Sequence, residues 1–213
     1  MMAVYDLEEQ EQLDELKSWW QQYRLLVLLV VVVAALTFGA VQGWRYYQNK
    51  QGLEAGELYV QLQGAIGSGD VKKAQDIAAA LMGKYARTGY AEYAALTAAA
   101  AAFGNGDATA ARTNLQWVID NARDDETRDI ARLRLAAVLL DDKQYDAALK
   151  LLQDPRIDSL SALFADLRGD VLVAQGKLEE ARAAYQVALD KSEARSSYRA
   201  LIQVKRDALG AAK

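Results

Sequence analysis

Few kinds of side chain are available here for chemistry. The chain has no histidine and no cysteine. That removes thiol and imidazole nucleophiles, Cys/His metal sites and disulfides together. Asp and Glu are plentiful at 29, but no pair of them stands out from turn or surface positions. Gly104-Asn105-Gly106-Asp107 is glycine-rich yet lacks the Lys-Ser/Thr that a phosphate loop needs. The expectation is therefore no enzyme, no cofactor and no metal. The residues whose types and spacing could act are of the recognition kind. Tyr59, Tyr93, Leu96 and Phe103, followed by Ile130, Leu133 and Leu140, recur at positions that a repeated helix pair would turn to one hollow face. Such an apolar hollow suits an amphipathic helix or an unfolded hydrophobic segment. A hollow for an acidic tail would carry Lys, Asn and Arg instead. The competing reading makes some of these positions core, because a frame error of one residue exchanges the faces.

Helix pairs must then be argued for. One Pro in 213 residues, with abundant Ala, Leu, Gln, Arg and Glu, favours helix throughout and almost no sheet. Gly169 is followed by Leu172, Gly176, Ala181, Tyr185 and Ala188. This spacing resembles the tetratricopeptide consensus of small, large, Gly turn, Ala, aromatic and Ala. Gly169 would let the first helix of a hairpin touch the second, Gly176 would close the turn, and Ala181 and Ala188 would sit where helices cross. Tyr185 would fill the gap between hairpins. Earlier copies of the frame place Ala148, Ala111 and Ala74 at the position of Ala181, and Lys143, Gly106 and Gly69 at the position of Gly176.

The expected fold is all-α: an N-terminal transmembrane helix, a solenoid of about four hairpins, and a capping helix within Glu193–Leu209. The array is divergent. The consensus Pro after the second helix is missing, and the one Pro present, Pro155, should end a helix early near Gln153. Asp158 should cap the next helix. First helices of each hairpin line the hollow, which adds Gln63, Leu163, Asp166 and Val173 to its positions. Arg123, Arg128, Arg132 and Arg134 are the one basic concentration. Asp125 and Asp129 lie within helical pairing range of Arg128 and Arg132, so a solvated, self-paired face is expected there.

A second element precedes the array. Leu25–Val41 is seventeen residues without a charge. Twelve are Leu, Val or Phe, which favours membrane insertion by about 4–7 kcal/mol. Trp19, Trp20 and Tyr23 stand before it and Trp44, Tyr46 and Tyr47 behind it, as aromatic belts do at two interfaces. Trp20 to Trp44 spans about 36 Å of helix, enough for a hydrocarbon core of about 30 Å. A buried core helix has no reason to carry two belts. A cleaved signal is disfavoured by the acidic leader and by Trp-Arg-Tyr-Tyr where a small-residue cleavage site should be. The reading is an uncleaved anchor. Ala35, Gly39 and Gly43 repeat every four residues within it and would let a partner helix approach closely.

Flanking charges tie, Lys17 and Arg24 against Arg45 and Lys50, so they do not orient the span. The expected divisions are a tail over 1–24, the span over 25–44, a linker over 45–55 and the repeat domain over 56–213. Leu13, Leu16, Trp20 and Tyr23 make one helical stripe in the tail, with Met1–Glu11 expected to lack structure. The net charge is −4, and the repeat domain is close to neutral, which gives no electrostatic case for nucleic acid.

The opening YDLEEQEQLDELKSWWQQY, the anchor, the WRYYQNKQ exit and the divergent repeats together resemble the YfgM-like ancillary subunit of the Sec translocon. The resemblance covers the whole chain. It implies a cytoplasmic tail, an anchor in the inner membrane of Gram-negative bacteria and periplasmic repeats. It also implies association with the translocon channel and with a membrane-anchored periplasmic chaperone of the peptidyl-prolyl isomerase type, and holding of emerging unfolded secretory or membrane protein clients. Beside that interaction and holdase reading stands a different one: a self-associating scaffold of an inner-membrane assembly that binds no client.

Overall fold

The computed structural model describes residues 3–194 and 196–210, the stretch 3–15 as backbone alone. Nine α-helices appear among them: α1 (Ala3–Gly67), α2 (Val71–Lys84), α3 (Gly89–Gly104), α4 (Ala108–Asn121), α5 (Asp125–Asp141), α6 (Tyr145–Leu151), α7 (Ser161–Ala174), α8 (Leu178–Lys191) and α9 (Ser197–Ala208). A 3-10 turn covers Asp158–Leu160, and no strand occurs among the described residues. The chain divides into two units between Gln51 and Gly52.

The first unit is the helix α1 up to Gln51. Its backbone is already helical at Ala3, where disorder through Glu11 is the sequence expectation. Glu, Gln and Leu, with no Gly or Pro before the span, are good helix formers and account for the difference. Met1 and Met2 lie outside the described residues. The most apolar window here reaches a mean hydropathy of 2.7 with none of it buried. Within Leu25–Val41 every side chain but Val27 is exposed, as a lipid-facing span requires. Trp19 stacks at a tilt on Tyr23 and Trp44 on Tyr47, with ring centroids 5.6 and 6.3 Å apart.

The second unit, from Gly52, is a run of helix pairs: the end of α1 with α2, which share one apolar cluster, then α3 with α4, α5 with α6, and α7 with α8, followed by α9. Each pair is closed by the same turn. Asp70, Asp107, Gln144 and Lys177 each donate their backbone N–H to a carbonyl five residues back, on Ala65, Ala102, Leu139 and Leu172. This is the Schellman arrangement, in which one residue must take a positive φ. That residue is Gly69, Gly106 and Gly176 in three turns and Lys143, at φ 59°, in the fourth. Four residues after each donor comes the framed alanine. Ala74, Ala111, Ala148 and Ala181 are at most 2% exposed, so their small size is what permits the crossing.

Three apolar clusters, linked through shared helices, make the core. Leu62, Leu81 and Tyr85 centre the first, Leu115, Val118, Leu152 and Phe164 the second, and Leu172, Tyr185 and Ile202 the third. Pro155 cuts α6 to seven residues, ending at Leu151, two residues before Gln153. The exposed end is made good from neighbouring helices. Arg132 of α5 donates to the carbonyls of Leu151 and Gln153 at 2.8 and 3.0 Å, and Arg168 of α7 donates to Leu152 at 2.6 Å. Asp158 does not cap α7, whose N-cap is Leu160. It opens the 3-10 turn, where it accepts from the Ser161 hydroxyl and pairs with Lys191.

At the C-terminal end α9 is clamped to α7 by a polar group. Lys205 Nζ lies 2.9 Å from Asp166 and 2.8 Å from Asp170. Tyr198 donates its hydroxyl to Asp166 and Tyr185 donates to Asp170, at 2.8 and 2.7 Å. Burial, with the hydrogen bonds to Asp166 and Asp170, pushes both phenols far above the usual tyrosine range. Burial pulls the Lys205 ammonium down, but its contacts with Asp170 and Asp166 outweigh that and leave it raised.

Candidate functional site

First helices of consecutive pairs, α3 and α5, leave a groove between them. It comprises two adjoining cavities, of about 520 Å³ towards the N-terminal ends and about 340 Å³ towards the C-terminal ends. Arg134 lines both. The α3 wall contributes Tyr93, Leu96, Thr97, Ala100 and Phe103. Its composition explains its chemistry: Glu92 is the single charged residue of α3, and it is turned inward, 4% exposed, to accept from the Arg123 guanidinium at 3.1 Å. Nothing charged is left on that wall. Tyr93 and Phe103 stand 58% and 43% exposed at its two ends.

The sequence-predicted hollow residues divide on this geometry. Tyr93, Leu96, Phe103, Ile130 and Leu140 all line the groove. Leu96 does so as a nearly buried floor, 9% exposed. Leu133 is half-buried against the central core and lines neither cavity. Tyr59 is half-buried on α1 and meets Tyr90, ring centroids 5.8 Å apart. Asp166, placed in the hollow by the repeat frame, is 6% exposed beneath α9. The cap helix thus occupies that end.

The arginine cluster is not the solvated face that pairing range alone suggests. Asp129 is wholly buried; it accepts from Arg132 at 2.7 Å and from the backbone N–H groups of Arg156 and Ile157 at 2.6 and 3.1 Å, fixing the loop around Pro155. Arg128 pairs with Asp125 and also reaches the carbonyls of Ile119 and Ala122 at the end of α4. Helix-spacing rules see the ion pairs but not the helix ends these side chains serve. Arg134 differs from the rest: it is exposed in the groove and no partner is recorded for it among the described residues. A trace of this was legible, since positions three and four away from it are Ile130, Ala131, Ala137 and Val138, with no acid.

Asp124, at the mouth of the groove, caps α5; the Thr127 backbone N–H holds its carboxyl below the ordinary aspartate range. Among the described residues no three acids converge as a metal site would. A second groove, of about 760 Å³, lies on the other side of α5 between α4 and α6, floored by Leu135, Leu139 and Trp117. Its α6 wall is short, seven residues against fourteen in α4.

The chain matches the family described as tetratricopeptide repeat-like domain over residues 17–211. It is 34% identical over 212 residues to the ancillary SecYEG translocon subunit of Neisseria gonorrhoeae, covering 98% of this chain and 100% of that protein. The chain belongs to the family of ancillary SecYEG translocon subunits. Relatives of the same name from Escherichia coli and Haemophilus influenzae are 31% and 29% identical, over 80% and 87% of this chain and 82% and 90% of theirs. No solved structure matches. In this member of the translocon-subunit family, Ala35, Gly39 and Gly43 share one face of α1, where a β-carbon on either glycine would meet nothing within 4 Å.

Proposed function

We propose that this chain is an anchored accessory of the Sec translocon that holds partner segments in the α3–α5 groove without performing catalysis. The span over 25–44 sits in the bacterial inner membrane, with the tail over 1–24 cytoplasmic and the repeats over 56–213 periplasmic. The orientation rests on family resemblance. The face at Ala35, Gly39 and Gly43 meets the translocon channel. The groove receives either a membrane-anchored periplasmic peptidyl-prolyl-isomerase-type chaperone or an unfolded secretory or membrane protein emerging from the channel.

The observation that carries this reading is the α3 wall. It is free of charge and keeps two aromatic side chains exposed at its ends, which suits burial against another apolar segment. Photo-crosslinking from Tyr93 and Phe103 in the full chain in native membranes tests it. Adducts with the chaperone or with a translocating client are expected, and their absence beside robust adducts from the other face of α5 would overturn it.

One observation favours the scaffold reading as a second possibility. Solenoid ends need polar outer faces to stay soluble, yet Val60 of α1 and Leu201 and Val204 of α9 are 67%, 52% and 65% exposed. A concentration-independent oligomer of the full chain in nanodiscs, without client adducts, would support that reading.

A further inference from the structure

Resting on the groove reading just given, we infer that its occupant is an amphipathic helix carrying charges in the order base, acid, base, seven to eight residues apart.

The inference comes from the α5 wall. Glu126, Arg134 and Asp141 are exposed and line the groove, Glu126 in one cavity, Asp141 in the other and Arg134 in both. At 3.6 residues per turn they fall on one face of α5, within about a quarter of its circumference, with Ile130 and Ala137 among them. Their separations of eight and seven residues place them about 12 and 10 Å apart along the helix. No hydrogen bond or ion pair is recorded for any of the three side chains among the described residues, although other arginines of this domain are committed to carboxylates or helix ends. Opposite them the α3 wall offers apolar and aromatic surface and no counter-charge.

A helix lying in this groove would turn an apolar stripe to α3 and a polar edge to α5. Complementarity asks that edge for Lys or Arg opposite Glu126, Asp or Glu opposite Arg134, and Lys or Arg opposite Asp141. The pattern is symmetric, so it selects the charge order and not the chain direction. An unfolded apolar segment without such charges would leave all three groups unanswered.

The test uses the full chain in nanodiscs and three helical peptides with the same leucine stripe, carrying Lys–Glu–Lys, Glu–Lys–Glu or Gln–Gln–Gln at that spacing. The base–acid–base peptide is expected to bind about tenfold tighter than its reverse at low salt, as three exposed pairs would allow. The triple variant E126K/R134E/D141K should exchange the order of preference. Equal binding of all three peptides, still lost on Phe103→Ala, would overturn the charge code and leave the groove reading standing. Peptide binding indifferent to Phe103→Ala would overturn both.

Discussion

Tyr185 lies directly against Gly169. A β-carbon on the glycine would come within 2.9 Å of three atoms of the tyrosine ring, and the ring cannot retreat because it is 3% exposed and its hydroxyl is bonded to Asp170. Gly169→Ala is therefore expected to destabilise the repeat domain by about 1–3 kcal/mol. Gly83→Ala, in α2 with nothing within 4 Å, should be neutral or slightly stabilising. Thermal unfolding followed by circular dichroism compares the two, and equal midpoints would contradict the packing described.

Lys143 fills a glycine's place in the third turn, with φ 59°. A left-handed non-glycine residue costs about 1 kcal/mol. Lys143→Gly should raise stability by roughly that much, and the melting temperature by about 2–4 °C. Lys177→Gly, one residue beyond the equivalent turn and not at positive φ, serves as the control and should not stabilise.

The clamp of α9 has a pH signature. Tyr198, Tyr185 and Lys205 all titrate higher in the folded chain than in the unfolded one. The folded state then holds more protons, so stability is complete below about pH 10, where unfolded tyrosine and lysine are still protonated, and declines as the pH rises beyond that. Tyr198→Phe should flatten the decline. Hydrogen exchange of α9 amides between pH 7 and 11 would detect it; a profile identical in the variant would mean that Tyr198 contributes nothing to the decline.

Tyr93→Ala with Phe103→Ala removes exposed aromatic area from the groove without opening the core. Loss of partner binding by about tenfold or more is expected, with helicity retained. Charged substitutions at Leu96 or Leu133 are poor probes, because both side chains pack against the central core and would report on folding. Affinity unchanged in the double alanine variant would move the site elsewhere.

Gly39→Leu with Gly43→Leu should weaken co-purification of the anchor with a membrane partner, while insertion remains intact. Recovery equal to the parent chain would retire Ala35, Gly39 and Gly43 as a contact face.

How far the sequence carried differs by element. The hairpin turns were legible because Schellman geometry demands glycine, and even Lys143 was found by register alone. The framed alanines, the close helix contact at Gly169 and the early end of α6 at Pro155 were legible for the same reason, each being a local steric demand; that the contact is with the Tyr185 ring, which the repeat frame assigns to the gap between hairpins, was not. The groove was only half legible. Period and register put Tyr93, Phe103 and Leu140 on the right face, but they could not separate Leu133, whose side chain leans inward, from its neighbours. The pairing range of Arg128 and Arg132 misses that their partners include carbonyls at the ends of α4 and α6, because no spacing rule connects a side chain to the end of a different helix. The frame puts Asp166 in the hollow because it predicts a capping helix without saying which positions of α7 that helix covers.

Those guanidinium contacts have a consequence for how the domain comes apart. The last carbonyls of α4 are held from α5, those of α6 from α5 and α7, and those of α8 by Arg199 of α9. Each of these second helices has at least one of its last carbonyls held by the helix that follows it in the chain, and α6 is held by Arg132 of α5 as well. A nascent or truncated domain stopping after α4 or α8 would be left with a fraying tip, and removing α9 should loosen α8 before anything else.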